Sequence, residues 1–256
     1  MSEIEAGWDA LKRLTRARVG LGRAGDGLPT RELLAFQAAH AAARDAVHGR
    51  VDFAAVAAAL PDREVISVAS AAPDRATYLR RPDLGRRLAD GHADRLPEGP
   101  FDVVFVIADG LSAAAVDAHA ATTVSATIAR LSGLSIGPIV LANQGRVALG
   151  DEIGAAMAAR LVVVVLGERP GLSAADSLGA YLTFDPRPGR VDSERNCLSN
   201  IHGHGLVPEA AAVKLAWLVR EALGRGLTGI ELKEAAPDEP VLAGAAPTSL
   251  PDGDRP

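Results

Sequence analysis

The chain has 256 residues, 48% of them apolar and 23% charged, with 27 basic and 32 acidic side chains for a net charge of -5. That composition supports a sizeable core in one large or two small domains, and it carries no basic surplus for neutralising nucleic-acid phosphates. Cys197 is the one cysteine, which excludes an intrachain disulfide and suits a reducing compartment. The first five residues carry acid where an export signal carries base, and the longest aliphatic run, residues 161–166, is far below the roughly 20 residues of a membrane span. A cytoplasmic location is therefore expected.

The first sixty residues read as helical. Residues 11–19 form a basic amphipathic stretch, and a second helix starts behind Pro29, with Thr30 as its expected cap, and runs to about His48. From Glu64 onward, short β-branched runs alternate with Ala-rich helical stretches. The expected strands are residues 65–68, 103–107, 134–141, 161–166 and 180–184, and their near-continuous apolar character suits burial on both faces. Helices are expected at residues 82–94, 112–131 and 152–159, and a last one begins with Pro208 in its first turn and stops near Gly224. Strand and helix in alternation predict an α/β fold with a doubly wound, mostly parallel, Rossmann-like sheet and an N-terminal helical segment. The domains expected are a helical segment over residues 1–60, an α/β domain over 61–233 and a disordered, Pro- and Ala-rich tail over 234–256.

Ligands of open α/β sheets bind beyond the carboxyl ends of the strands. Four polar or Gly-rich stretches are expected there: Asp109-Gly110, Gln144-Gly145-Arg146-Val147, Gly167-Glu168-Arg169-Pro170-Gly171, and Cys197-Leu198-Ser199-Asn200 with His202. Any one of them could be an ordinary turn; their coincidence at one sheet edge points to a binding site.

Several motifs do not carry their usual chemistry. The glycines from Gly20 to Gly25 match a dinucleotide fingerprint, yet a basic helix stands where that motif requires a strand. Gly145 and Gly150 have phosphate-loop spacing, but Asp151 follows where a lysine is needed. Asp117-Ala118-His119 lacks the final glycine of the element that presents a cobalt-ligating histidine in some cobalamin proteins, so His119 is read as a helix-surface or packing residue. His202 and His204 stand two apart with no third ligand in view, and no metal site is expected. His40, Arg44 and His48 share a helix face that reads as solvated. Cys197 has no histidine tied to it by sequence, and Glu168 stands beside Arg169, an arrangement found more often in a structural ion pair or in an acceptor for ligand N–H groups than in a general base. These readings reach a ligand-binding α/β domain and leave a non-catalytic nucleotide-binding or scaffold protein, or a nicotinamide enzyme, open.

Longer strings go further. Ala17-Arg18-Val19-Gly20-Leu21-Gly22-Arg23-Ala24-Gly25, Tyr78-Leu79-Arg80-Arg81-Pro82-Asp83-Leu84-Gly85-Arg86-Arg87-Leu88, Gly167-Glu168-Arg169-Pro170-Gly171-Leu172 and Glu194-Arg195-Asn196-Cys197-Leu198-Ser199-Asn200 together resemble the small subunit of ethanolamine ammonia-lyases. The resemblance implies a lyase that turns ethanolamine into acetaldehyde and ammonia by adenosylcobalamin radical chemistry. It implies a hetero-oligomer with a large, β/α-barrel subunit that holds substrate, and a small subunit that closes over the cofactor and is inactive alone. Carried over residue by residue, it assigns cofactor contacts to Val147, Glu168 and Cys197, no catalytic residue to this chain, and no protein ligand to cobalt. It also implies a setting in the cytoplasm or in a bacterial microcompartment.

Overall fold

The structure, a computed structural model, describes residues 3–15 and 17–236. Its centre is a six-stranded sheet of order β1-β3-β2-β4-β5-β6. The strands are β1 (Val65–Ala69), β2 (Phe101–Ala108), β3 (Ile139–Asn143), β4 (Ala159–Gly167), β5 (Leu178–Phe184) and β6 (Arg195–Ile201). The first four are parallel, whereas β5 runs antiparallel to β4 and β6 antiparallel to β5. The mostly parallel sheet expected from the sequence is present; the antiparallel pair at one side is the departure from it.

The side-chain period of two sorts the strand residues into two cores. Val103, Phe105, Ile107, Leu161, Val163, Val165, Leu178, Ala180 and Leu182 face one cluster, with Val56, Val124, Leu215 and Val219 from covering helices. Those helices are α3 (Phe53–Ala58), α5 (Ala113–Ala115), which runs on through a π-helical turn at Val116–Ala120 into α6 (Ala121–Ala129), and α8 (Pro208–Arg225). Val104, Val106, Ala108, Val162, Val164 and Leu166 face the other cluster beneath Leu149, Ile153 and Met157. Leu149 and Ile153 belong to α7 (Leu149–Ala156). Both faces of β2, β3 and β4 are thus covered, which is why these strands read as apolar runs, whereas the edge strand β1 exposes Ser67.

Several boundaries differ from expectation for local reasons. The first helix, α1, spans Glu3–Leu14 and not residues 11–19. After it the chain folds back: Gly20 has φ +57, and a Cβ there would lie 2.8 Å from the Trp8 ring. Helix α2 (Thr30–His48) begins at Thr30, with Pro29 in the cap position and no capping bond from a side chain. Residues 82–94 are not a helix. Instead α4 (Arg75–Arg80), capped by Asp74, is followed by 3-10 turns at Leu84–Arg86 and Ala93–Arg95, because Pro82, Gly85 and the left-handed Gly91 interrupt the helical period. The strand expected at residues 134–141 is shifted to Ile139–Asn143, and the helix expected at 152–159 to Leu149–Ala156, where Ala158, at φ +48, reverses the chain into β4. Finally, Cys197 to Asn200 are not a loop but part of the edge strand β6. Of the expected tail, everything from residue 237 onward lies outside the described residues.

Candidate functional site

The loops after β2, β3 and β4 meet at the carboxyl ends of the parallel strands. Asp109 is buried there; its carboxylate accepts from the Gly145 amide at 3.0 Å and faces Arg75 Nη1 at 3.5 Å, and burial holds its acid above the usual carboxylate range. Gly110 sits at φ +56 against the Gly167 carbonyl, 2.3 Å from where a Cβ would lie, so no side chain fits at this crossing. Tyr78 is fully buried behind the loops. Its hydroxyl donates to the Gly145 carbonyl at 3.0 Å, and the guanidiniums of Arg75 and Arg146 lie 4.9 and 4.4 Å from its ring centre.

Beside this crossing opens a cleft of about 470 Å³, lined by Pro82, Arg86, Arg146, Val147, Ala148, Tyr181, Arg190, Val191, Asp192, Arg195 and Cys197. Its origin is the antiparallel pair. On the sheet face that α7 packs against, β5 and β6 carry Tyr181 paired with Cys197 and Thr183 paired with Arg195; Tyr181, Cys197 and Arg195 line the cleft floor, and Thr183 lies buried beneath Arg195. Arg195 is the anchor. It holds Asp151 of α7 through two bonds of 2.6 and 2.7 Å, Thr183 Oγ1 at 2.7 Å and the Arg190 carbonyl at 3.0 Å. One buried ion pair therefore ties the helix wall, the floor and the 190–192 wall together.

The three residues singled out from sequence come close to one another here. Val147 and Cys197 line the cleft. Glu168 stands just after β4, where its Oε2 accepts from Ser177 Oγ at 2.6 Å and from the Asn200 amide at 3.1 Å. A Cβ on Gly179 would lie 3.1 Å from both Glu168 Oε1 and the Tyr181 ring, so Glu168 borders the same floor beyond Tyr181. Its partners are Ser177 and Asn200, and no ion pair with Arg169 forms among the described residues. Cys197, exposed on the sheet surface, stands across from Tyr181 in the strand register; desolvation and the Glu168 carboxylate push its thiol above the usual range, against an opposing influence of the Tyr181 hydroxyl. A thiol held protonated in this way makes a contact surface and a poor nucleophile.

Other singled-out residues go elsewhere. His119, on the π turn, pairs with Asp176 at 3.1 Å, and Asp117 accepts from the Asp52 amide. His202 is buried, with Nε2 2.8 Å from Asn200 Oδ1, and no group of three or more metal-binding side chains exists among the described residues. A helix and not a strand precedes Gly20, and His40 stacks on Phe36 at 6.4 Å. Tyr181 and Thr183 were not foreseen as site residues. Their signal, polar atoms at alternate positions of an otherwise apolar strand, is weak beside motif strings.

The chain is thus a mixed α/β protein with an open cleft on the uncovered face of its sheet edge. Comparison with known proteins names the family. The model described as "Ethanolamine ammonia-lyase light chain (EutC)" matches residues 5–233. Among curated relatives, proteins named ethanolamine ammonia-lyase small subunit are 54% identical over 231 residues in Rhodopseudomonas palustris (88% of each chain), 51% over 251 residues in Bradyrhizobium diazoefficiens (94% of this chain, 95% of the relative) and 51% over 245 residues in Xanthomonas campestris pv. campestris (92% and 90%). The chain belongs to the ethanolamine ammonia-lyase light-chain family, a lyase family. No helix among the described residues is long and apolar enough to cross a membrane.

Proposed function

We propose that this chain is the cofactor-binding small subunit of an adenosylcobalamin-dependent ethanolamine ammonia-lyase, working in the cytoplasm, free or in a microcompartment, as a hetero-oligomer with a large subunit. One observation carries the reading: Val147 and Cys197, far apart in sequence, line a single cleft floored by Tyr181, and Glu168 stands next to the Tyr181 ring. We read the winding of β1 to β4, with covering elements on both faces, as doubly wound, so the loop after β3 and the loop after β4 flank its switch point at β2.

The residues fit the group. A corrin is rimmed by amide side chains, which need acceptors and donors, around a largely apolar body. Oε2 of Glu168 is committed to Ser177 and Asn200, which fixes the carboxylate and leaves Oε1 to accept an amide N–H. Val147, Ala148, Cys197 and the Tyr181 ring supply apolar contact. A cleft of about 470 Å³ takes only an edge of so large a cofactor, so a second protein must cover the remainder. Exposed Trp8, Leu11, Leu14, Leu33, Leu34 and Phe36 on α1 and α2 suit that contact.

When bound, adenosylcobalamin supplies the radical hydrogen-atom transfer by which ethanolamine becomes acetaldehyde and ammonia. This chain's residues bind and orient one edge of it and exclude water there; substrate and the groups acting on it belong to the large subunit. The test is reconstitution. The chain with its large subunit and adenosylcobalamin should release ammonia from ethanolamine, and neither subunit should do so alone. Turnover by the isolated chain, or full turnover by the large subunit alone, would contradict the proposal.

A further inference from the structure

Four arginines border the cleft, and among the described residues only two of them have a carboxylate partner. Arg195 holds Asp151 and has Asp192 at 3.7 Å; Arg190 pairs with Asp185 at 2.8 Å and with Glu194. Arg86 and Arg146 have no carboxylate partner among the described residues. Arg146 is nonetheless firmly held, over the Tyr78 ring and through its Nη2 bond to the Tyr78 carbonyl at 3.4 Å, while its Nε is buried with no hydrogen-bond partner. Backbone contact brings the two segments that carry these arginines together. The Arg146 amide donates to the Gly85 carbonyl at 2.8 Å, and a Cβ on Gly85 would strike Arg146 Cγ at 2.8 Å, so only glycine lets Arg86 stand on the residue next to that contact.

Two guanidiniums on touching segments, with no anion between them, repel, and a buried N–H without an acceptor carries the cost of its lost solvation. An oxyanion bound between them relieves the repulsion, and the planar guanidinium fork matches phosphate oxygens better than it matches a neutral amide. We propose that Arg86 and Arg146 form a phosphate subsite at the end of the cleft. The inference rests on the cleft being the cobalamin site, since the phosphate source it favours is the phosphodiester in the cofactor's nucleotide tail. A free phosphate-bearing small molecule is the other source of the same chemistry.

The experiment uses the complex of both subunits and reads equilibrium binding of two corrins, cyanocobalamin and dicyanocobinamide, the second lacking the nucleotide tail and its phosphate. Arg86→Gln, an exposed position, should weaken cyanocobalamin binding about tenfold and leave dicyanocobinamide within about twofold. Arg146→Lys, which keeps the charge but not the fork, should show a smaller loss of the same selectivity. Glu168→Gln should weaken both corrins, because both carry the peripheral amides. Inorganic phosphate should compete with cyanocobalamin in the wild-type complex and lose that effect in Arg86→Gln. If phosphate binds the wild type and not Arg86→Gln while cyanocobalamin affinity is unchanged, the subsite stands and its ligand is the free phosphate. Equal weakening of both corrins, or unchanged cyanocobalamin and phosphate binding in both arginine variants, overturns the subsite. A wild-type complex that binds neither corrin overturns the cobalamin reading instead, and the phosphate measurement alone then decides the subsite.

Discussion

Replacing Asp151 by Asn removes the counter-charge of Arg195 while nearly keeping the volume. Both side chains are 3% exposed, so the guanidinium left behind cannot turn to water. Two of its four bonds go to the two carboxylate oxygens, and an amide can accept only one of them and presents a donor to the other. Breaking a buried pair by removing one partner costs about 3 to 5 kcal/mol. At about 2 to 4 °C per kcal/mol for a domain of this size, the melting temperature should fall by about 6 to 20 °C. Calorimetry or urea unfolding of the isolated chain measures it. The double variant Asp151→Leu, Arg195→Met, which leaves no buried charge, should be more stable than Asp151→Asn. A loss below about 1 kcal/mol for Asp151→Asn, or a double variant worse than the sum of its singles, would refute the claim that this pair holds the cleft walls together.

Three further outcomes are expected. Because desolvation and Glu168 hold the Cys197 thiol protonated, its alkylation at pH 7.5 should be slower than that of an unstructured cysteine and should accelerate only above the ordinary thiol range; rapid labelling at neutral pH would contradict this. Asp102, held below the usual carboxylate range by the Ser135 amide and by Arg160, contributes stability that is present above the ordinary carboxylate range and is lost as pH falls through its lowered folded-state pKa, so Asp102→Asn should cost under about 1 kcal/mol at pH 6 and progressively less in acid, as read by urea unfolding; a cost that grows on acidification would contradict this. Deleting residues 1–27, whose described side chains add nothing to the buried core, should leave the melting temperature of the chain nearly unchanged while weakening its association with the large subunit in sedimentation; unaltered association would move that interface elsewhere.

The parallel half of the fold was legible because β2 and β4 are buried on both faces, and that burial writes continuous Val, Ile and Leu runs into the sequence. The edge was not. In β6 one face is open and the neighbouring strand lies on one side only, so Arg195, Asn196, Cys197, Ser199 and Asn200 satisfy their polar groups in a strand, and the same letters suit a turn. The rule about strand ends put Val147 and Glu168 in the loops after β3 and β4, where they stand, but reached Cys197 through a loop that does not exist; Cys197 lies within β6, paired with Tyr181 on the same sheet face. The Walker-like spacing at Gly150 misleads because that glycine serves packing: a Cβ would lie 2.3 Å from Val164 Cγ2. Long-range partners such as Asp151 and Arg195, 44 positions apart, leave no local signature at all.

The central claim is that this chain grips cobalamin at the Tyr181 floor, and titrating adenosylcobalamin into the two-subunit complex with wild-type Glu168 and with Glu168→Gln tests it most directly. The wild-type carboxylate offers Oε1 to an amide N–H while Ser177 and Asn200 hold Oε2, and the glutamine amide can satisfy only one of these demands. Loss of one charge-assisted bond, about 1.5 to 3 kcal/mol, predicts an affinity at least about tenfold weaker, with turnover at saturating cofactor changed far less. Unchanged cofactor affinity together with a lowered melting temperature of the isolated chain would make Glu168 a structural residue and contradict the account.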